Sequence, residues 1–389
     1  MSIGRLLPRL IAVLFVIDGV SRFMPQDRLC FQAWECMTRF QEPGAIFEAN
    51  RQFRSARTHG NMANMGNLPA LRQYRPQVFT TDAYGFRNAA SLANGKIDGL
   101  VLGDSYVAGY GNSNEDTLPV QLSEQTGLRF YNAGGPYAYL ETARLLKRRL
   151  TFGGRRVIVV WTENVPLPFF EEAELRAGSP DRRSRLLNLV FGGQGERVRS
   201  GMRGLWFMSP VKIVAEKAYL AISNDRILPN IYAQKVAIRR LTTGTPIIFY
   251  PPDVDAFQHS VDARPPVDRL TWLAAELRHE GFDPLIVLAP SKYTVYYPAL
   301  EDSRPEHVNT NPLLARVEHA LRAADISVID LTPSFQAQAL RDLANGQYLY
   351  WLDDTHWNAR GMGLAAQLIG QWLNIETSSD GKASRSDGI

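Results

Sequence analysis

The chain of 389 residues has little cysteine and little histidine, two and six respectively. Cys30 and Cys36 form no Cys/His spacing of a structural zinc site, and His59, His259, His279, His307, His319 and His356 are scattered. Metal is therefore not the expected chemistry, and no cofactor is implied. The cysteine spacing would put both thiols on nearly opposite faces of one helix, so a disulfide requires a turn between them. Charge of one sign is also lacking: 43 Lys+Arg face 39 Asp+Glu, a net +4. With no basic stripe interleaved with aromatics, a nucleic-acid partner is not expected.

An uninterrupted apolar run of about 20 residues is missing as well. The longest one near the start, Leu10 to Ile17, follows Arg5 and Arg9 and is broken by Asp18, with Arg22 beyond. This pattern, with no small-x-small cleavage site after it, reads as an uncleaved signal anchor over residues 1–25. The expected location is anchored in the inner membrane, with the rest of the chain periplasmic or otherwise extracytoplasmic.

What is present is a globular composition, 45% apolar and 10% aromatic, and enough length for one large domain or two. Residues 26–95 show no sustained period and read as a connecting segment. From Lys96, "IDGLVLGD", "LRFYNAG", "RRVIVVWTEN", "TPIIFYPP", "DPLIVLAPS" and "ISVIDLTPS" read as buried strands, with helical stretches such as "YLETARLLKRRL" and "VDRLTWLAAELRHEG" between them. Such alternation predicts an α/β domain over 96–375, a mainly parallel sheet with helices on both faces. An Arg-rich, mostly helical insertion is expected at about 171–243, and a disordered polar tail at 376–389.

In such a sheet ligands bind beyond the carboxyl ends of the strands. The residues there are Gly103-Asp104-Ser105, then Asn132-Ala133-Gly134-Gly135, then Thr162-Glu163-Asn164. Near the chain end, "DDTHWN" places Asp353, Asp354 and His356 before the last helix. A hydroxyl, an imidazole, a carboxylate and backbone donors are the parts of an acyl-transfer site. The serine needs a base to take its proton, and the base needs an acid to hold its other nitrogen.

These blocks together resemble the SGNH (GDS-type) esterase and acetyltransferase superfamily. "GDS" at 103–105 is similar to the nucleophile block, "NAGG" at 132–135 to the second block and Asn164 to the third. "TTDAYGFRN" at 80–88 is similar to a lead-in of extracytoplasmic members, and "VLAPSKYTVYYPAL" with Asp354-Thr355-His356-Trp357 is similar to the alginate O-acetyltransferase branch. Two departures stand out. Tyr137 occupies a position where members usually carry glycine, and the serine precedes the Asp/His block, as in the esterases.

The resemblance implies a flavodoxin-like three-layer α/β/α fold with a helical insertion. It implies Ser105 as nucleophile, His356 as base, and Asp353 or Asp354 as the acid, depending on which family spacing applies. Gly134, Gly135 and Asn164 become oxyanion donors, and Lys292, Tyr296 and Tyr137 candidate substrate contacts. The implied activity is O-acetylation of an exported polysaccharide, with acetyl delivered by a multi-span membrane protein. The alternatives are a carbohydrate or lipid esterase, or a non-catalytic polysaccharide-binding or assembly component.

Overall fold

The computed structural model describes residues 12–14, 16–20, 30–38, 47–135, 138–163, 209–223, 227–259, 261–304 and 312–386. Among the described residues nine strands follow in chain order. They are β1 (Gln52–Thr58), β2 (Arg75–Thr80), β3 (Lys96–Gly103), β4 (Phe130–Gly134), β5 (Thr151–Thr162), β6 (Ala237–Arg240), β7 (Pro246–Phe249), β8 (Asp283–Ala289) and β9 (Val328–Asp330).

Side chains that alternate along a strand must find two cores when both faces are covered. Val101 of β3, Ile158 and Val160 of β5, and Leu285 and Val287 of β8 enter one cluster. Their neighbours Leu100, Leu102, Val157, Val159, Ile286 and Leu288 enter the other. Helices Leu118–Thr126, Thr332–Leu343 and Ala359–Ser386 close the first face, through Leu122, Phe335 and Ile369 among others. Helices Tyr139–Arg149, Arg264–His279 and Leu313–Ala323 close the second, through Leu146, Leu273 and Val317. The result is a three-layer α/β/α fold.

The five-stranded sheet runs β4-β3-β5-β8-β9, and every pairing in it is parallel. Chain order reverses at β3: the next strand lies on one side of it and the one after on the other. That switch point opens a crevice beyond the carboxyl ends of β3 and β5, the usual place for a ligand in a flavodoxin-like sheet.

Three expectations change here. "TPIIFYPP" does form a strand, β7, but it pairs antiparallel with β6 outside the central sheet. The insertion, expected as mostly helical, therefore closes in a hairpin after helix Pro210–Ile222; residues 164–208 lie outside the described residues. The helix Ala359–Ser386 continues through most of the stretch expected as a disordered tail, since on an existing helix each added residue gains a hydrogen bond without a new nucleation cost.

Residues 26–95 are more than a connection. β1 and β2 pair antiparallel, and Phe53 and Phe79 from them join Cys30, Ala33, Cys36, Met37 and Ala108 in a third cluster. Cys30 and Cys36 are disulfide-bonded, with bends at Phe31 and Gln32 supplying the turn between them. Most of residues 1–25 lie outside the described residues. Within 12–20, Val13, Leu14, Val16, Ile17 and Val20 are exposed. Among the described residues no helix is long and apolar enough to cross a membrane.

Candidate active site

β3 ends at Gly103 and turns at once into the short helix Ser105–Ala108. Asp104 caps that helix, its Oδ1 accepting from the Tyr106 N–H at 2.9 Å, while Oδ2 accepts from Thr162 Oγ1 at 2.7 Å at the end of β5. Gly109, in the left-handed region (φ 74°), stops the helix after one turn. Ser105 is thus held at the switch point, half-buried. The lead-in residue Arg87 donates to the carbonyls of Ala108, Gly109, Asn112 and Val78, fixing the far end of the turn.

The last turn of this helix packs against β4. A Cβ at Gly134 would run into the Ala108 N and Val107 backbone, so the close approach requires glycine. Asn132 fastens the two elements, donating from Nδ2 to Val107 O at 2.9 Å. Its Oδ1 accepts from the Gly134 N–H at 3.0 Å, and the Gly135 N–H donates to Gly103 O at 2.9 Å. Both glycine N–H groups expected as oxyanion donors are therefore committed to the loop's own structure. Asn164 and Tyr137 lie outside the described residues.

The loop from Tyr350 to Trp357 brings the imidazole to the serine. Tyr350 and Trp357 pair as an antiparallel bridge, and the Trp351 N–H donates to His356 O at 3.2 Å. Tyr106, next to the serine, donates its hydroxyl to Thr355 O at 2.7 Å and lays its ring 5.0 Å from the His356 ring. His356 Nε2 stands 2.7 Å from Ser105 Oγ, and His356 Nδ1 stands 2.7 Å from Asp354 Oδ1. Ser105, His356 and Asp354 are one continuous hydrogen-bonded chain.

Asp354 and Asp353 are adjacent and both fully buried, but they face different partners. Asp354 Oδ2 accepts from Gln32 Nε2 (2.9 Å), the Asn61 N–H (3.0 Å) and Arg75 Nη2 (3.3 Å). Burial alone would push the Asp354 carboxyl up. The charge and hydrogen bond of His356, then Arg75 and the Asn61 N–H, outweigh it and hold the carboxyl well below the usual carboxylate range. Asp353 turns away from the imidazole: Oδ1 accepts from Arg75 Nη1 at 2.9 Å, and Oδ2 from the Gly60 and Gln73 N–H groups at 2.7 and 2.8 Å. Gly60 lies so tightly on Asp353 that a Cβ there would collide with the Asp353 carbonyl.

Two expected substrate contacts are corrected. Lys292 is 1% exposed, and its ammonium donates to the carbonyls of Ile248, Trp351, Leu352 and Asp354 at 2.7–3.0 Å. Burial pushes it down to about 7, opposed by Asp353, Asp354 and Asp253. Tyr296 is fully buried, its hydroxyl accepting from the Leu349 N–H at 2.9 Å. Both side chains build the histidine loop instead of lining a surface. Lys292→Met is accordingly expected to cost about 3 kcal/mol of unfolding free energy, from four carbonyls that lose the charged donor they share. Its KM for a small ester stays within about two-fold, whereas a side chain gripping substrate raises KM by about ten-fold or more per lost charged hydrogen bond.

His59, beside the acid pair, sets a pH limit on the fold. Burial, with Arg72 adding positive charge, pushes it down to about 4 against its hydrogen bond to Asn64. An unfolded imidazole takes up its proton near about 6.5, the folded one only near 4, so the unfolded state binds more protons between these values. Stability therefore falls as pH drops through that window. Melting temperatures at about pH 7 and about pH 5 are expected to differ less in His59→Gln than in wild type.

Sequence reasoning passed over Gln32, Asn61, Gln73 and Arg75. Asn61, Gln73 and Arg75 lie between or at the start of runs, "QFRSART" and "RPQVFT", that show no sustained period. Gln32 lies upstream of both runs, and nothing local marks any of the four as a partner of the acid pair. Among the described residues no group of His, Cys, Asp and Glu is placed to hold a metal ion.

No curated protein matches the chain. A family model does, over residues 257–386, and the matched part takes in β8, β9, both aspartates and His356 while Ser105 lies upstream of it. Residues 257–386 match the family described as an SGNH hydrolase-like domain, acetyltransferase AlgX, which is the alginate O-acetyltransferase-like branch of the SGNH superfamily that the sequence resembles.

Proposed function

We propose that the protein transfers an acyl group through Ser105, and that its acceptor is a hydroxyl of an exported polysaccharide. The observation that carries the reading is the chain Ser105 Oγ to His356 Nε2 to Asp354, 2.7 Å at each step. As Ser105 Oγ attacks the acyl carbonyl, His356 Nε2 takes its proton, and Asp354 holds the imidazolium. The Ser105 N–H, at the start of its helix, is the donor we assign to the oxyanion. His356 then returns the proton to the leaving group. In the second half it takes a proton from the incoming sugar hydroxyl, which attacks the acyl-serine, and returns that proton to Ser105 Oγ as the acyl–oxygen bond breaks.

The apolar side chains exposed at 13–20 and the Cys30–Cys36 disulfide support an anchored, extracytoplasmic protein. Acetyl groups must be carried across a bilayer to reach it, a step we assign to a separate multi-span membrane protein.

The test follows acetyl release from an activated acetyl ester, with and without oligosaccharide acceptors, for wild type and Ser105→Ala. Ser105-dependent appearance of acetyl on the sugar is the expected result. Release to water alone, unaffected by acceptors, would make the protein an esterase. Turnover that survives in Ser105→Ala, or no turnover in wild type, would remove both enzyme readings and leave a binding role.

A further inference from the structure

The oxygen of Asp354 that faces away from His356 takes one of its hydrogen bonds from a loop closed by the disulfide. Cys30 and Cys36 are joined with their Cα atoms 6.0 Å apart, and between them Gln32 is fully buried. Its Nε2 donates to Asp354 Oδ2 at 2.9 Å and to His59 O at 2.8 Å, while its Oε1 accepts from Trp34 Nε1 at 2.9 Å. Two acceptors on one side and a donor on the other fix the amide in a single orientation.

The loop is itself tied to both halves of the site. Ala33 N–H donates to Gln77 Oε1 at 3.0 Å on β2. Cys30, Ala33, Cys36 and Met37 pack with Ala108 of the serine's helix. The helix Ala33–Met37 is five residues long, too short to persist without such constraints.

We infer that Gln32 is a positioning residue for Asp354 and that the Cys30–Cys36 disulfide keeps it in place, so that the site reaches its full rate only in the oxidised protein. The inference rests on the acyl-transfer reading of that site. Reduction by a dithiol supplies two electrons and two protons: the sulfur–sulfur bond breaks, Cys30 and Cys36 become thiols, and the dithiol leaves as its own disulfide. The freed loop gives up the hold of Gln32 on Asp354. Asn61 and Arg75 still bind the carboxylate, so the imidazole is aimed less well but remains in place.

The experiment uses the full chain, wild type and Gln32→Leu, each oxidised and reduced with dithiothreitol. The chain has two cysteines, so reduction acts on this bond alone. In wild type, reduction is expected to lower kcat for a small acetyl ester by about 10- to 100-fold, the worth of one hydrogen bond to a charged group, with KM little changed. Gln32→Leu is expected to show a similar loss when oxidised and to change less than about two-fold on reduction, because both perturbations remove one interaction. Thermal melts establish that each form is folded, and Gln32→Met stands in for any leucine variant that is not. The NMR titration of His356 is expected to shift alike in reduced wild type and oxidised Gln32→Leu, and it is readable without turnover. Full kcat in reduced wild type, or an equal loss on reduction in both proteins, overturns the inference. If oxidised wild type shows no Ser105-dependent turnover, the acyl-transfer reading fails, and an unshifted His356 titration then overturns the positioning role separately.

Discussion

Asp354→Asn is expected to lower kcat for a small acetyl ester by about 10⁴-fold with KM little changed, the cost of presenting the wrong tautomer of a base to its nucleophile. The amide that replaces Oδ1 or Oδ2 cannot stabilise the imidazolium formed when Ser105 gives up its proton, and His356 Nδ1 sits only 2.7 Å from that oxygen. The neighbouring Asp353→Asn is expected to keep kcat within about ten-fold of wild type, because Asp353 touches Arg75, Gly60 and Gln73 and not the imidazole. Its cost falls on stability instead, at about 1–3 kcal/mol for weakened buried hydrogen bonds. Steady-state kinetics and denaturant melts on the two variants check the ranking, and the opposite order would assign the acid to Asp353.

Arg75→Met is expected to lower stability by about 3–5 kcal/mol, as removal of one partner from a buried ion pair does. One guanidinium serves two fully buried carboxylates, Asp353 at 2.9 Å and Asp354 at 3.3 Å. It also donates to Gly111 O and Gln73 O and lies 4.0 Å above the Trp351 ring. Arg75→Lys is expected to recover less than half of the loss, since an ammonium cannot reproduce a planar fork that reaches two carboxylates and stacks on an indole. Urea unfolding monitored by tryptophan fluorescence measures both. A loss under about 1 kcal/mol for Arg75→Met would place the pair among weakly coupled surface charges and contradict the burial argument.

The parallel sheet is legible in the sequence because strands covered on both faces carry unbroken apolar runs, as β3 does at Leu100–Leu102, β5 at Val157–Trp161 and β8 at Leu285–Ala289. β7 misleads for the same reason. "PIIF" is as apolar as a central strand, yet its partner is the adjacent β6, and short apolar runs carry no information about which neighbour they pair with. Ser105 and His356 are legible because a strand end followed by Gly-Asp-Ser and a late Asp/His block have few joint explanations. The choice between Asp353 and Asp354 is not, since it turns on donors as far as 322 positions upstream. Gln32 and Arg75 are ordinary polar residues until the hairpin folds their segment over the histidine loop. Lys292 and Tyr296 read as sugar contacts from their chemistry, and only their burial reveals that they hold the loop.

The most direct test of the central claim is the mass of the protein itself, quenched within its first turnovers on an activated acetyl ester. The account predicts one added acetyl group, mapped to the peptide carrying Ser105, in wild type and Asp353→Asn. It predicts none in Ser105→Ala and almost none in His356→Ala. Equal labelling of Ser105→Ala, or steady turnover by wild type with Ser105 never acylated under conditions that trap acyl-enzymes, would contradict it.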